Sequence, residues 1–215
     1  MLNDEEILNN KTRFINLLRK IERANCDIEG LIAKLERSDF FTAPASTQYH
    51  CGFKGGLCQH SLNVYDQLVK LIEIEYPDNL IELGKEQVID NSKKAPDNDS
   101  VLITGLLHDI SKMNFYEVAD RNVKDEHGNW TKVPYIKVRD VKDRFIYGSH
   151  EQNSLYIIST YIPLKIEEEV AVLNHMGGKG YDSTQADLTP IYNKYSLALL
   201  LHVADMLATF MDENI

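Results

Sequence analysis

No stretch of this sequence is apolar for long enough to cross a bilayer as a helix. The first residues, Met1-Leu2-Asn3-Asp4-Glu5-Glu6, are acidic and lack the basic and apolar regions of a secretory leader. Together these absences predict a cytoplasmic protein with no membrane partner. Cysteine is scarce as well. Cys26, Cys51 and Cys58 are the only three, and no two form a Cys-x-x-Cys pair. That spacing argues against a disulfide framework and against a cysteine zinc site, so they read as reduced thiols. Positive charge is in deficit: 23 Lys and Arg face 33 Asp and Glu, for a net charge of −10. Such a surface repels a polyanion and no basic run overrides it, so a long nucleic acid is not an expected partner. A nucleotide-sized anion stays compatible, because a metal site brings its own positive charge.

What is present reads as helix. With 215 residues, 43% of them hydrophobic, the chain can bury a sizeable core in one domain. Apolar residues at Ile7, Leu8, Phe14, Ile15, Leu17, Leu18 and Ile21 predict an amphipathic helix from Glu5 to about Asn25. That helix could pack internally or against a second chain. A short helix follows over Ile28 to Arg37. Pro44, Gly52, Gly55 and Gly56 make Phe40 to Cys58 irregular. Leu62, Tyr65, Leu68, Val69 and Ile72 lie on one face of a helix over Ser61 to Glu75. A polar loop over Asn91 to Ser100 offers Asp97 or Asp99 as the cap of a buried helix over Val101 to Ile110. Further helices are predicted over Glu151 to Tyr161, Ile166 to Asn174 and Pro190 to Met211. Between them, Phe115-Tyr116-Glu117-Val118 and Val133 to Val138 are rich in β-formers around the turn-like Asp125 to Asn129. The pattern predicts an inserted β-hairpin, with Pro134 restricted to an edge strand.

Chemistry concentrates at Leu106-Leu107-His108-Asp109-Ile110-Ser111-Lys112. An imidazole and a carboxylate side by side at the end of an apolar helix need a partner or a metal. That pair suits a divalent cation such as Mn, Fe or Zn. Other polar groups sit in or at the ends of apolar helices: His60 in Gly55-Gly56-Leu57-Cys58-Gln59-His60-Ser61-Leu62, His150 after Gly148-Ser149, His175 before Met176-Gly177, and Asp205 in His202-Val203-Ala204-Asp205.

In the order His60, His108-Asp109, His150, His175 and Asp205, the chain resembles the HD-domain superfamily of metal-dependent phosphohydrolases. Residues 50 to 210 carry the likeness, and Gly55 to Leu62 is similar to the GGL-x-x-HSL segment of bacterial HD proteins, exoribonucleases among them. Those exoribonucleases carry a nucleic-acid-binding OB module, for which these 215 residues leave no room. The resemblance implies an all-α HD-domain helical bundle with a small β-hairpin inserted near residues 115–139. It implies a single HD domain over 1–215, the helices of 5–37 packing on a core of 50–211. It further implies one or two divalent ions (Mn, Fe, Zn, Ni, Co or Mg). His60, His108, Asp109 and Asp205 would hold one ion, and Asp109 would bridge to a second on His150 and His175. The expected activity is hydrolysis of a small phosphorylated substrate, a nucleotide first among them. Two alternatives stay open: an HD-type diiron oxygenase, and a catalytically silent nucleotide-binding module.

Supporting residues carry two readings each. Lys112, four after His108, could neutralise a substrate phosphate if the helix continues, or be a solvated lysine at a helix end. His50 could hydrogen-bond a leaving group or a phosphate oxygen, or be a structural loop histidine. His202 shares a helical face with Asp205 and could orient it or simply pack. Cys58 is not needed as a ligand, and His127 is expected to be exposed. Gly177-Gly178-Lys179-Gly180 reads as a helix cap before a phosphate cradle. Trp130, Tyr116 and Tyr135 are expected to pack the hairpin onto the helices. Because the hairpin lies between His108 and His150, it is expected to flank the site. Deleting residues 120–132 should therefore change the substrate profile, and an unchanged profile in a substrate panel would refute that role.

Overall fold

The computed structural model describes residues 2–47, 50–77, 95–177 and 187–213. Helix α1 spans Asp4–Leu18. Asn3 and Glu6 form a reciprocal capping box at its start, and Asp4, Glu5 and Glu6 complement the helix dipole. It ends earlier than the periodicity predicts. Lys20 and Ile21 donate back to the carbonyls of Leu17 and Leu18, a tighter turn that still buries Ile21. The helix packs internally: Phe14 and Leu18 are fully buried, and Phe14 meets the rings of Phe40 and Phe41 at 5.0 and 5.8 Å. Helix α2 spans Ile28–Arg37 behind an Asp27 cap, with the bounds its apolar pattern predicts.

Helix α3 runs from Gly56 to Glu75, starting five residues before the predicted Ser61. Gly55 precedes it with φ 84°, a left-handed conformation that costs glycine little, and an added Cβ there would meet the Ile7 side chain at 2.8 Å. Leu57, Cys58 and Leu62 face the core shared with α1 and α2. Further along, Val64 and Leu68 face a second apolar cluster. Asp97 caps α4, Asn98–Leu107. Every residue of α4 from Ser100 to Leu107 is buried, so it is the helix the others surround.

The predicted hairpin is present as β1, Tyr116–Lys124, paired antiparallel with β2, Trp130–Val138. Both strands are longer than their β-rich cores suggest. Pro134 faces Asp120 across a two-stranded sheet in which both strands are edges, so its missing donor costs little. At its base the Tyr116 hydroxyl donates to the Ala45 carbonyl, and Arg139 donates to the Tyr116 carbonyl and pairs with Asp39. The expectation that Trp130 packs onto the helices is wrong. Its side chain is 68% exposed, and the Lys124 ammonium lies 5.2 Å over its ring. Around Trp130, residues 126–134 are all exposed, so this end of the hairpin buries no side chain. His127 is exposed at that tip, as expected.

Helices α5, His150–Ser159, and α6, Ile166–Asn174, follow; α6 has the predicted bounds. The long helix expected over Pro190 to Met211 is instead α7, Thr189–Lys194, and α8, Ser196–Leu207, broken at Tyr195 (φ −123°, ψ 89°). A π-helical turn, Ala208–Asp212, then replaces the last turn of α-helix. Ala171 from α6 and Leu197, Leu201 and Ala204 from α8 complete the second apolar cluster with Val64 and Leu68. Among the described residues no helix is long and apolar enough to cross a membrane.

One buried ion pair ties the N-terminal helices to this bundle. Glu168, fully buried in the first turn of α6, accepts Arg23 Nη1 at 2.5 Å and Nη2 at 2.6 Å, the Ser100 hydroxyl at 2.5 Å and the Lys165 backbone N–H at 2.7 Å. Removing Glu168 leaves the Arg23 guanidinium, 12% exposed, with the half-exposed Asp97 at 3.8 Å as its remaining counter-charge. Glu168→Ala is expected to lower the unfolding free energy by about 3–5 kcal/mol. Urea denaturation measures it, and a loss below about 1 kcal/mol would mean that the pair behaves as an exposed one.

Candidate metal centre

The helix ends deliver the predicted side chains to one point. His60 lies in the second turn of α3, His108 caps the C-terminus of α4, and Asp109 follows it. His150 opens α5, His175 caps the C-terminus of α6, and Asp205 projects from α8. Asp109 stands in the middle, with its two oxygens facing different partners. Oδ2 is 3.5 Å from His60 Nε2 and 3.6 Å from His108 Nε2. Oδ1 is 3.5 Å from His175 Nε2 and 3.7 Å from His150 Nε2. Asp205 Oδ1 joins the first set, 3.3 Å from His60 Nε2. Ligand atoms held about 2.0–2.2 Å from one cation stand roughly 3–3.5 Å from each other. The spacings are close to that. His60, His108 and Asp109 form one group that could hold a metal ion, and Asp109, His150 and His175 form another.

The far side of each ring is also assigned. His108 Nδ1 lies 3.1 Å from the Gly105 carbonyl and His175 Nδ1 lies 2.7 Å from the Val172 carbonyl. A carbonyl only accepts, so Nδ1 carries the proton and donates. In the neutral ring Nε2 then presents a lone pair to the centre. His60 Nδ1 donates to Glu213 Oε1 at 3.0 Å, which turns Nε2 toward the centre. His150 Nδ1 is 3.3 Å from Glu151 Oε2. Inside the ring of side chains, Asp109 Oδ1, His150 Nε2 and His175 Nε2 are buried and make no hydrogen bond. Three buried polar atoms that converge on one point without a hydrogen bond are what a cation satisfies. The donor set therefore fits a divalent ion.

Electrostatics follow from burial. Desolvation drives the His108 pKa down to about 4, so this ring stays neutral and able to donate its lone pair. Burial alone would push the Asp109 carboxyl up, but Lys112 and the surrounding imidazoles more than offset it and hold it well below the usual range. Asp205 is also held low, His60 outweighing its burial. His60 and His175 move the other way: burial opposes their charge, yet Asp109, with Asp205 and Glu213 at His60, raises their pKa, so an ion held there would displace the Nε2 proton.

Lys112 reaches the centre by a different route from the one predicted. Helix α4 stops at Leu107, so His108 and Lys112 do not share an α-helical face. A 3₁₀ turn, Ile110–Lys112, swings the side chain back instead, and Nζ comes within 2.6 Å of Asp109 Oδ2. With 15% of the side chain exposed, it is not a solvated lysine at a helix end. The His50 ring lies 4.9 Å from the His60 ring, and its buried Nε2 has no hydrogen-bond partner. Burial pulls its pKa down. His202 does not face Asp205. Its Nδ1 lies 2.6 Å from the His175 carbonyl, its ring stacks on Tyr192, and Gly177 (φ 65°) passes so close that a Cβ would meet the ring at 2.9 Å. It braces the turn that carries His175. The rest of the glycine segment, residues 178–180, lies outside the described residues. Cys58 is buried away from the ligand groups, and burial pushes its thiol up to about 12.

One participant had no sequence signal. Glu213 follows the π-helical turn, and its carboxylate accepts from His60 Nδ1 and from Asn63 Nδ2 at 2.9 Å. Its neighbour Asp212 accepts from Gln67 Nε2 at 2.6 Å. Comparisons with protein-family models, with curated proteins and with solved structures find no match to this chain.

Glu213 holds His60 in the tautomer a metal needs. Glu213→Ala is therefore expected to weaken Mn(II) binding about 10- to 100-fold in a chelator-competition titration. Asp212→Ala, which removes the acceptor for Gln67 and loosens the same turn without touching His60, should leave binding unchanged. Equal effects of the two substitutions would show that Glu213 only anchors the C-terminal turn.

Proposed function

We propose that this chain is an HD-type metal-dependent phosphohydrolase acting on a small phosphorylated substrate, a nucleotide first among the candidates. One observation carries the reading: the Asp109 carboxylate is split between two histidine pairs, with three buried polar atoms that make no hydrogen bond. His60, His108, Asp109 and Asp205 would hold one divalent ion, and Asp109, His150 and His175 a second. Such ions supply Lewis acidity toward phosphoryl oxygens and lower the pKa of water to near neutrality. The chain's own groups do the rest. Carbonyls and carboxylates fix four imidazoles with Nε2 inward, so the centre is preorganised before substrate arrives. Lys112, beside Asp109, adds a positive charge where a phosphate oxygen would lie. This fixed cation favours an anionic substrate over dioxygen and so supports hydrolysis over the oxygenase alternative. His50, with its Nε2 unpartnered, offers a hydrogen bond to a leaving oxygen.

The test is a panel of nucleotides with Mn(II), together with metal analysis. The wild type should contain metal and release phosphate, triphosphate or an opened cyclic ester, and each product names a different hydrolysis. Asp109→Ala should lose bound metal and at least about 10³-fold in rate, since it removes several kcal/mol of charge stabilisation. Full metal content in the variant would remove the bridge, and turnover at the wild-type rate would remove the mechanism.

A further inference from the structure

The candidate centre is closed on most sides. Side-chain exposure is at most 2% for His60, His108, Asp109 and His175, and 14% for Asp205. His150 is the exception at 28%. A substrate therefore approaches beside His150, and there the surface is hollow. His150 lines a cavity of 540 Å³ together with Phe115, Arg144, Phe145, Ile146 and Glu151. That volume is in the range of small-ligand sites.

We propose that this cavity receives the nucleoside part of a nucleoside monophosphate, with Arg144 and Phe145 determining specificity. The inference rests on the phosphohydrolase reading for the position of the phosphate, but its own support is separate. The Arg144 guanidinium lies 4.9 Å over the Phe115 ring, and its buried Nε makes no hydrogen bond. A cation pinned on an aromatic face with an N–H to spare can meet a base carbonyl or ring nitrogen. Glu151, 3% exposed, lines the same cavity with its Oε2 3.3 Å from His150 Nδ1, so it aims the ring that stands between the cavity and the centre. Burying the Arg144 Nε–H unsatisfied is costly unless a ligand pairs with it. The remaining wall is apolar and open: Phe145 is 50% exposed and Ile146 52%. Phe145 is held by Tyr156, ring centroids 5.4 Å apart, which leaves one ring face for a planar partner. A spare donor and an aromatic wall in one hollow match a nucleobase. A bare phosphate or a sugar phosphate would leave the aromatic wall wet.

Calorimetry on the Mn(II)-loaded protein with adenosine monophosphate, a ribose phosphate and inorganic phosphate tests this. The wild type should bind the nucleotide at least about tenfold more tightly than the ribose phosphate, within the roughly 5- to 150-fold that base stacking supplies. Arg144→Met and Phe145→Ala should each cut that advantage while leaving inorganic phosphate binding unchanged. Both positions lie at the surface, and an unaltered thermal midpoint of the metal-free variants checks the fold. Equal binding of the two organic phosphates by the wild type, or an undiminished advantage in both variants, would overturn the proposal. If inorganic phosphate fails to bind the wild type, the phosphohydrolase reading is at fault. Adenosine alone then reads the cavity: binding that both substitutions abolish supports it, and no binding overturns it.

Discussion

A carboxylate that is 2% exposed must find its counter-charge inside the protein, and the way Asp109 finds it organises the whole molecule. Taking such a charge out of water costs several kcal/mol. Here four imidazoles and one ammonium, drawn from four helices and a 3₁₀ turn, close around it. No one of these helices could place more than two of the groups. The apolar clusters that pack α3, α4, α6 and α8 together are therefore also what holds the polar centre. Helix α4 is buried all round because its C-terminus must bring His108 and Asp109 to the middle.

Two kinds of support keep the rings aimed. His108 and His175 use carbonyls three residues back in their own helices, a local device that needs nothing from the rest of the chain. His60 uses Glu213, 153 residues away, and so depends on the C-terminal turn. A standard α-helix continued from α8 would rotate residue 213 about 100° per position on a fixed course. The π-helical turn adds a residue per turn and re-aims the carboxylate. An irregular turn next to a buried functional group has a clear physical role here.

Much of this was legible in the sequence, for identifiable reasons. The bounds of α2 and α6 follow from short, strong apolar periodicity with clear ends. The hairpin follows from β-rich segments around a turn cluster. Ionisable residues in or at the ends of helices drew attention to His60, His108, Asp109, His150, His175 and Asp205, and their order, by its resemblance to the HD superfamily, made them one proposed ligand set. What was not legible depended on tertiary context. The break at Tyr195 interrupts a pattern that stays apolar on both sides. The 3₁₀ turn that brings Lys112 to Asp109 replaces an α-helix that the residue types would equally well support. Glu213 lies in Met211-Asp212-Glu213-Asn214, which reads as a polar end with no periodicity to place it.

The distribution of exposure also bears on what the centre can act upon. A metal used only for stability is closed on all sides, whereas a catalytic one keeps an open position. Asp205, Lys112 and above all His150 retain some exposure, while His108 and His175 have none. The exposed ligand belongs to the group around Asp109 Oδ1, where the buried polar atoms without a hydrogen bond are concentrated. The opening and the unmet bonding capacity therefore coincide. A structural ion would need neither that coincidence nor a lysine ammonium beside the central carboxylate. An anion arriving at the His150 side would meet both. The asymmetry of burial is thus the feature that turns a possible metal-binding cluster into a site with a direction of approach.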